Sequence, residues 1–140
     1  MTVLHCTARL LKRLHKPARP PEPEPQSNPL GEWYADFDFC RRVPFVVMLN
    51  AATGAVLVLP GHADGLRRLD ELAATAFAAL CMQHDLTGPE MGAELRGFAA
   101  GFACATTRDR SALGSLNERK AGCWMQMEHG LSLLETASFE

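Results

Sequence analysis

Arg110, Gly114 and Asn117 are the residues in this sequence best suited to meet a ligand. They lie in the run RDRSALGSLNERKAGCWMQM, residues 108–127. On a helix, Arg110, Gly114, Asn117 and Ala121 fall on one line, with steps of four, three and four residues. Arg110 is a permanent cation, and Asn117 carries an amide with both donors and an acceptor. Between them Gly114 has no side chain, a choice that costs a helix about 1 kcal/mol relative to alanine. The gap suits a ligand approaching the backbone, and equally another element of the fold packing close. Upstream, Thr106, Thr107 and Ser111 join the unpaired N–H groups of a helix start in an anion-friendly end, reinforced by Arg108 and Arg110. Asp109 competes for the same amides. The expected binding residues are therefore Thr107, Arg110, Ser111, Gly114 and Asn117. A phosphate, a nucleic-acid backbone or an acidic partner side chain would suit them.

Two further sets of residues could do chemistry. Asp36 and Asp38 share a face of an alternating stretch and could hold a hard cation. The plainer expectation is that they form the wet face of a half-buried strand. His5 and Cys6 could supply a base and a nucleophile, provided that the first strand lies beside the 109–128 helix. Residues 1–21 hold Arg9, Lys12, Arg13, Lys16 and Arg19 and no carboxylate. This basic patch reads either as a solvated helix face or as a surface for phosphate or a partner.

These side chains need elements to position them. Thr2–Cys6 (TVLHC) fits a short strand. Thr7 fits an N-cap for a short helix with Leu10, Leu11 and Leu14 on its apolar side. Pro17–Pro29 holds six of the nine prolines and reads as a semi-rigid connector. Trp33–Cys40 alternates as a strand. Phe45–Asn50 and Ala55–Leu59 are apolar on both faces and read as central strands, joined by a hairpin loop in which Gly54 takes a positive φ. Asp64 fits the cap of a helix reaching 84. Thr87 and Glu90 fit a capping box that opens a shorter helix. Gly101–Thr106 is a compact strand. Ala112, Leu113, Leu116, Cys123, Trp124 and Met127 give the last helix its apolar arc. Lys120 projects into that arc, where it would snorkel or pair with a carboxylate such as Asp36 or Asp38.

The chain has 140 residues, enough for one domain with a real core. The expected fold is α+β, with an antiparallel sheet of about four to five strands packed against two or three helices. A strand-helix unit (1–16) is joined by the proline-rich linker (17–29) to an α+β body (30–140). A formal charge of −2 gives no global pull on nucleic acid. Five cysteines without C-x-x-C spacing read as reduced thiols of a cytoplasmic protein. No apolar run is long enough to span a bilayer, so no membrane partner is expected. No phosphate-binding glycine loop, dinucleotide pattern, zinc-protease motif or nucleophile elbow is present, and no cofactor is expected.

Four stretches carry a family likeness: LHCTARLLKRL, LGEWYADFDFCRR, VVMLNAATGAVLVLP and, above all, TTRDRSALGSLNE. Together they resemble an uncharacterised bacterial family of small proteins described only as a domain of unknown function. Its helix signature is similar to Thr107, Arg110, Ser111, Leu113, Gly114, Ser115 and Asn117 here. Asp36 stands where the family's pattern has Asn, and Leu116-Asn117-Glu118 where it has Met-Asn-Asp. The resemblance implies the fold and the helix line and brings no activity. The function expected is a small cytosolic binding or regulatory module that contacts a protein partner, nucleic acid or phosphate through the start of the 109–128 helix. The alternative is an enzyme acting on a phosphate-bearing substrate, with Arg110 as anion clamp and Asp36 and Asp38 as metal ligands.

Overall fold

A computed structural model describes residues 2–17, 20, 30–86, 88–107 and 110–128, with side chains in the last helix described as far as 122. The fold is α+β. Its strands are β1 (Thr2–Cys6), β2 (Trp33–Cys40), β3 (Val43–Asn50), β4 (Val56–Pro60) and β5 (Phe102–Thr106). Its helices are α1 (Ala8–Arg13), α2 (Ala63–Arg67), α3 (Leu69–Gln83), α4 (Pro89–Ala99) and α5 (Arg110–Glu128). Among the described residues, no helix is long and apolar enough to cross a membrane.

The five strands form one sheet in the order β4-β3-β2-β1-β5. It is mixed, where the sequence suggested an antiparallel sheet. β2, β3 and β4 form an antiparallel meander, but β1 runs parallel to both β2 and β5. The physical reason is the connections. β1 reaches β2 only through α1 and the residues after it, and a long crossover of this kind brings a strand back parallel. The first strand is thus no appendage. All five of its residues are buried, and it sits between β2 and β5. β4, expected at the centre, lies at an edge of the sheet. Its apolar residues are buried on both faces because a helical layer covers each one.

Strand alternation divides the interior. One face carries Leu4, Cys6, Trp33, Ala35, Phe37, Val46, Met48, Leu57 and Leu59 under α1, α3 and α4. Trp33 meets Phe77 and Phe98 edge-on, at 5.9 and 5.4 Å between ring centroids. Each fully buried side chain of this size contributes roughly 1.5–3 kcal/mol. The other face carries Tyr34, Phe45, Val47, Leu49, Val56 and Val58, capped by Ala112 and Leu116 of α5.

The turns follow their residues closely. Gly54 has φ 75°, and Asn50 Oδ1 accepts the Ala52 and Thr53 N–H groups at 3.1 and 3.0 Å, closing the β3–β4 loop. The helix expected from Asp64 is broken at Arg68, and His62 rather than Asp64 is its N-cap. Asp64 instead pairs with Arg67 at 3.3 Å within the first turn. Gly88 is the N-cap of α4, with no side-chain cap bond, and Thr87 lies outside the described residues. The linker residues 21–29 also lie outside them.

Candidate functional site

Asp36 and Asp38 point from β2 toward α5, on the side opposite Phe37 and Phe39. They are not a wet face. Asp36 is 4% exposed. Its Oδ2 accepts from Lys120 Nζ at 2.8 Å, and its Oδ1 accepts from Thr7 Oγ1 at 2.6 Å and from the Phe37 N–H at 2.7 Å. Lys120 Nζ also lies 3.1 Å from Asp38 Oδ2, which Arg9 reaches from α1 at 3.0 Å. Burial pushes the Asp38 carboxyl up, but the Phe39 N–H, Lys120 and Arg9 together outweigh it and leave it below its usual value. Two cations thus meet two carboxylates and the cluster is neutral. Lys120, the charge that interrupts the apolar arc of α5, crosses that arc to fasten the helix to the sheet. Its ammonium stands between the carboxylates where a cation would sit. Among the described residues, no three His, Cys, Asp or Glu side chains gather as a metal site.

The line on α5 faces outward. Arg110, Ser111, Gly114 and Asn117 are exposed, and Thr107 is half-buried. A Cβ added at Gly114 would meet nothing within 4 Å among the described residues. Ser111 borders a small cavity of about 100 Å3 with Ser115, Asn50 and Gly54. Residues 108 and 109, at the helix start, lie outside the described residues. The structure therefore joins Arg110, Gly114 and Asn117 on one exposed face, and does not join them to Asp36 and Asp38.

His5 and Cys6 point to opposite faces of β1. His5 is stacked on Tyr34 at 4.9 Å, and its Nδ1 donates to the Thr106 carbonyl at 3.0 Å. Glu32 lies 3.9 Å from its Nε2 and also accepts from the Tyr34 hydroxyl at 2.8 Å. Cys6 lies in the other core layer with Cys104 of β5. Hydrogen bonding from Cys6, with Lys16 nearby, draws the Cys104 thiol down to about 7 against the effect of its burial. Cys6, a free thiol hydrogen-bonding toward Cys104 and buried, is pushed far up. Cys104 borders a cavity of about 190 Å3 with Lys16, Arg67 and Asp70.

A larger concavity than either of these lies elsewhere. β1, β2, β4 and β5 all point the same way, and at the carboxyl end of β2 and β4 a cleft of about 940 Å3 opens between α1 and α2. Open sheets place ligands beyond such strand ends for a geometric reason: the connections diverge there and leave a crevice. Arg9, Lys12, Arg13 and His15 line it from the first helix and its end, His62 and Arg67 from the second, and Phe37 and Phe39 form part of its floor. No carboxylate lines it among the described residues. The Arg13 guanidinium lies over both rings, 4.6 Å from the Phe37 centroid and 5.1 Å from that of Phe39.

The basic face of α1 was legible in the sequence, and so was the shared direction of Phe37 and Phe39. What residue spacing did not join was α1 to α2 across the end of β2. Glu94 gave a weaker signal, four residues before Phe98 on the apolar side of its helix. It is 1% exposed and accepts from Trp33 Nε1 at 2.6 Å and from the Leu30 N–H at 3.2 Å.

These features define an α+β protein with a basic, aromatic-floored cleft and a neutral ion cluster that ties two helices to the sheet. The chain belongs to the family described as a domain of unknown function (DUF6933), whose model matches residues 3–137. No curated protein and no solved structure matches it.

Proposed function

We propose that this protein is a binding module that takes a phosphate-bearing ligand in the cleft between α1 and α2. One observation carries the reading. In a chain with formal charge −2, this cleft of about 940 Å3 gathers four Lys or Arg side chains and two histidines, with no carboxylate lining it among the described residues. Exposed like charges repel, and a multiply charged anion relieves that repulsion. Arg9 and Arg67 are partly neutralised by Asp38 and Asp64. Lys12 and Arg13 have no carboxylate partner among the described residues and carry most of the attraction.

The exposed line Arg110, Ser111, Gly114 and Asn117, with Thr107, stands as a second surface for the same class of ligand. The four described cysteines are free thiols, which supports the cytoplasmic reading. The enzyme reading, with Asp36 and Asp38 as metal ligands, loses its metal position to Lys120.

The test is retention on a heparin column and calorimetric titration with inorganic polyphosphate, for the parent, the double variant Lys12→Ala/Arg13→Ala, and Arg110→Ala. The cleft reading expects the double variant to elute earliest and bind polyphosphate weakest. Greater loss in Arg110→Ala moves the site to α5. A parent that binds neither polyanion ends the proposal.

A further inference from the structure

We infer that the ligand of the cleft is a single-stranded nucleic acid, its phosphates on Lys12, Arg13, Arg41 and Arg42 and one base stacked against Phe39. The inference rests on the cleft being the binding site and adds the class of ligand.

Phe39 is the first ground. It lines the cleft and is 42% exposed, whereas its neighbour Phe37 is 1% exposed. Its ring is held: it meets Phe37 at 89° and 5.1 Å, and Arg13 covers part of it. A fixed, half-open aromatic beside a guanidinium is a stacking platform for a planar base. An anion without a base would leave that ring unused.

The backbone supplies the second. Four non-glycine residues among those described have positive φ, and three of them are basic: His15 at 58°, Arg41 at 49° and Arg42 at 67°. Arg41 and Arg42 form the two-residue turn between β2 and β3, where both centres need positive φ and Asn-Gly is preferred. Left-handed backbone at a residue with a side chain costs about 1–2 kcal/mol. Sequence choices that merely closed the hairpin would place glycine or asparagine there. Two exposed arginines stand there instead, two and three residues after Phe39; they lie outside the cleft lining itself, in the turn that follows the cleft's strand. His15 lines the cleft itself.

The geometry also chooses the strandedness. A duplex keeps its bases stacked inside and presents phosphates alone. A ring on the floor of a cleft flanked by two helices reaches a base only when that base is free to turn out.

The experiment compares fluorescence anisotropy with a short labelled oligothymidylate, anisotropy with a hairpin duplex of equal length, and calorimetry with inorganic polyphosphate. The proteins are the parent, Phe39→Leu, Phe39→Trp and Lys12→Ala/Arg13→Ala, each checked for an unchanged circular-dichroism melt. The parent should bind the single strand more tightly than the duplex. Phe39→Leu should weaken oligothymidylate binding on the order of tenfold and leave polyphosphate affinity within about twofold, since stacking but no cation is removed. Phe39→Trp should restore the oligothymidylate affinity, and the double basic variant should weaken both ligands. If the parent binds polyphosphate, but binds duplex as tightly as single strand and Phe39→Leu changes nothing, the nucleic-acid inference falls while the anion cleft stands. If the parent binds neither polyanion, both fall.

Discussion

Replacing Lys120 with methionine keeps a long apolar stem and removes only the ammonium. At an effective dielectric of about 20, a charge at 2.8 Å from one carboxylate and 3.1 Å from another is attracted by roughly 5–6 kcal/mol to each. Desolvation offsets most of this, because all three side chains are at most 14% exposed. Breaking the cluster is costlier than the cluster is worth, since the variant leaves the buried Asp36 carboxyl without the ammonium that faces it. The expected loss is about 3–5 kcal/mol, a large share of the roughly 5–15 kcal/mol that holds a domain together. Urea denaturation followed by tryptophan fluorescence reads it directly, and the melting temperature should fall by about 10 °C. Adding Asp36→Asn to Lys120→Met should recover much of the loss. The sign with pH is also fixed. Asp38 has a folded value below its ordinary 3.8, so its contribution is complete above that value and is lost as pH falls through the lower folded one. The gap between parent and Lys120→Met should therefore narrow in acid below about pH 4. A variant within about 1 kcal/mol of the parent at neutral pH would refute the assignment of Lys120 as the fastener of α5.

Two further outcomes follow from side-chain surroundings. Gly114→Ala should stabilise the protein by about 0.5–1 kcal/mol, measured as a raised melting temperature, because the added Cβ enters open space on an exposed helix face. A drop would show that something packs there. Among the described cysteines, Cys104 should be the one whose alkylation by iodoacetamide rises with a midpoint near pH 7. Cys6→Ala should move that midpoint upward by removing the neighbouring thiol that holds it down, as read by mass spectrometry of the labelled peptides.

Much of the architecture was legible because it depends on local pattern. The alternation of Trp33–Cys40, the apolar runs around the Gly54 loop and the Thr7 cap reappear as β2, β3 with β4, and the start of α1. Sheet order was not legible. Nothing in TVLHC distinguishes a tethered edge strand from one inserted between β2 and β5; full burial does, and burial belongs to the whole fold. Asp36 and Asp38 were legible in part. Two acids on one strand face suggested water, while Lys120 in an apolar arc suggested a carboxylate partner; the second reading holds, and Lys120, 84 residues after Asp36, turns that face inward. The Arg110–Asn117 line could be read from spacing, but not whether it faced the sheet or solvent. The cleft was half legible, as a basic helix and two aligned phenylalanines, with its α2 wall supplied by tertiary packing.

The place of β1 also bears on how the chain comes together. Thr2 pairs with Phe102 and Cys6 with Thr106, so this flank of the first strand closes only when the far end of the sequence arrives. Meanwhile β2, β3 and β4 can zip up from neighbouring segments, because their pairings are local. A chain emerging from the ribosome in order therefore holds an apolar strand with one bare flank until β5 is made. Such a flank invites pairing with the wrong chain. The last strand thus serves to shut, late in synthesis, a seam that the first few residues leave open.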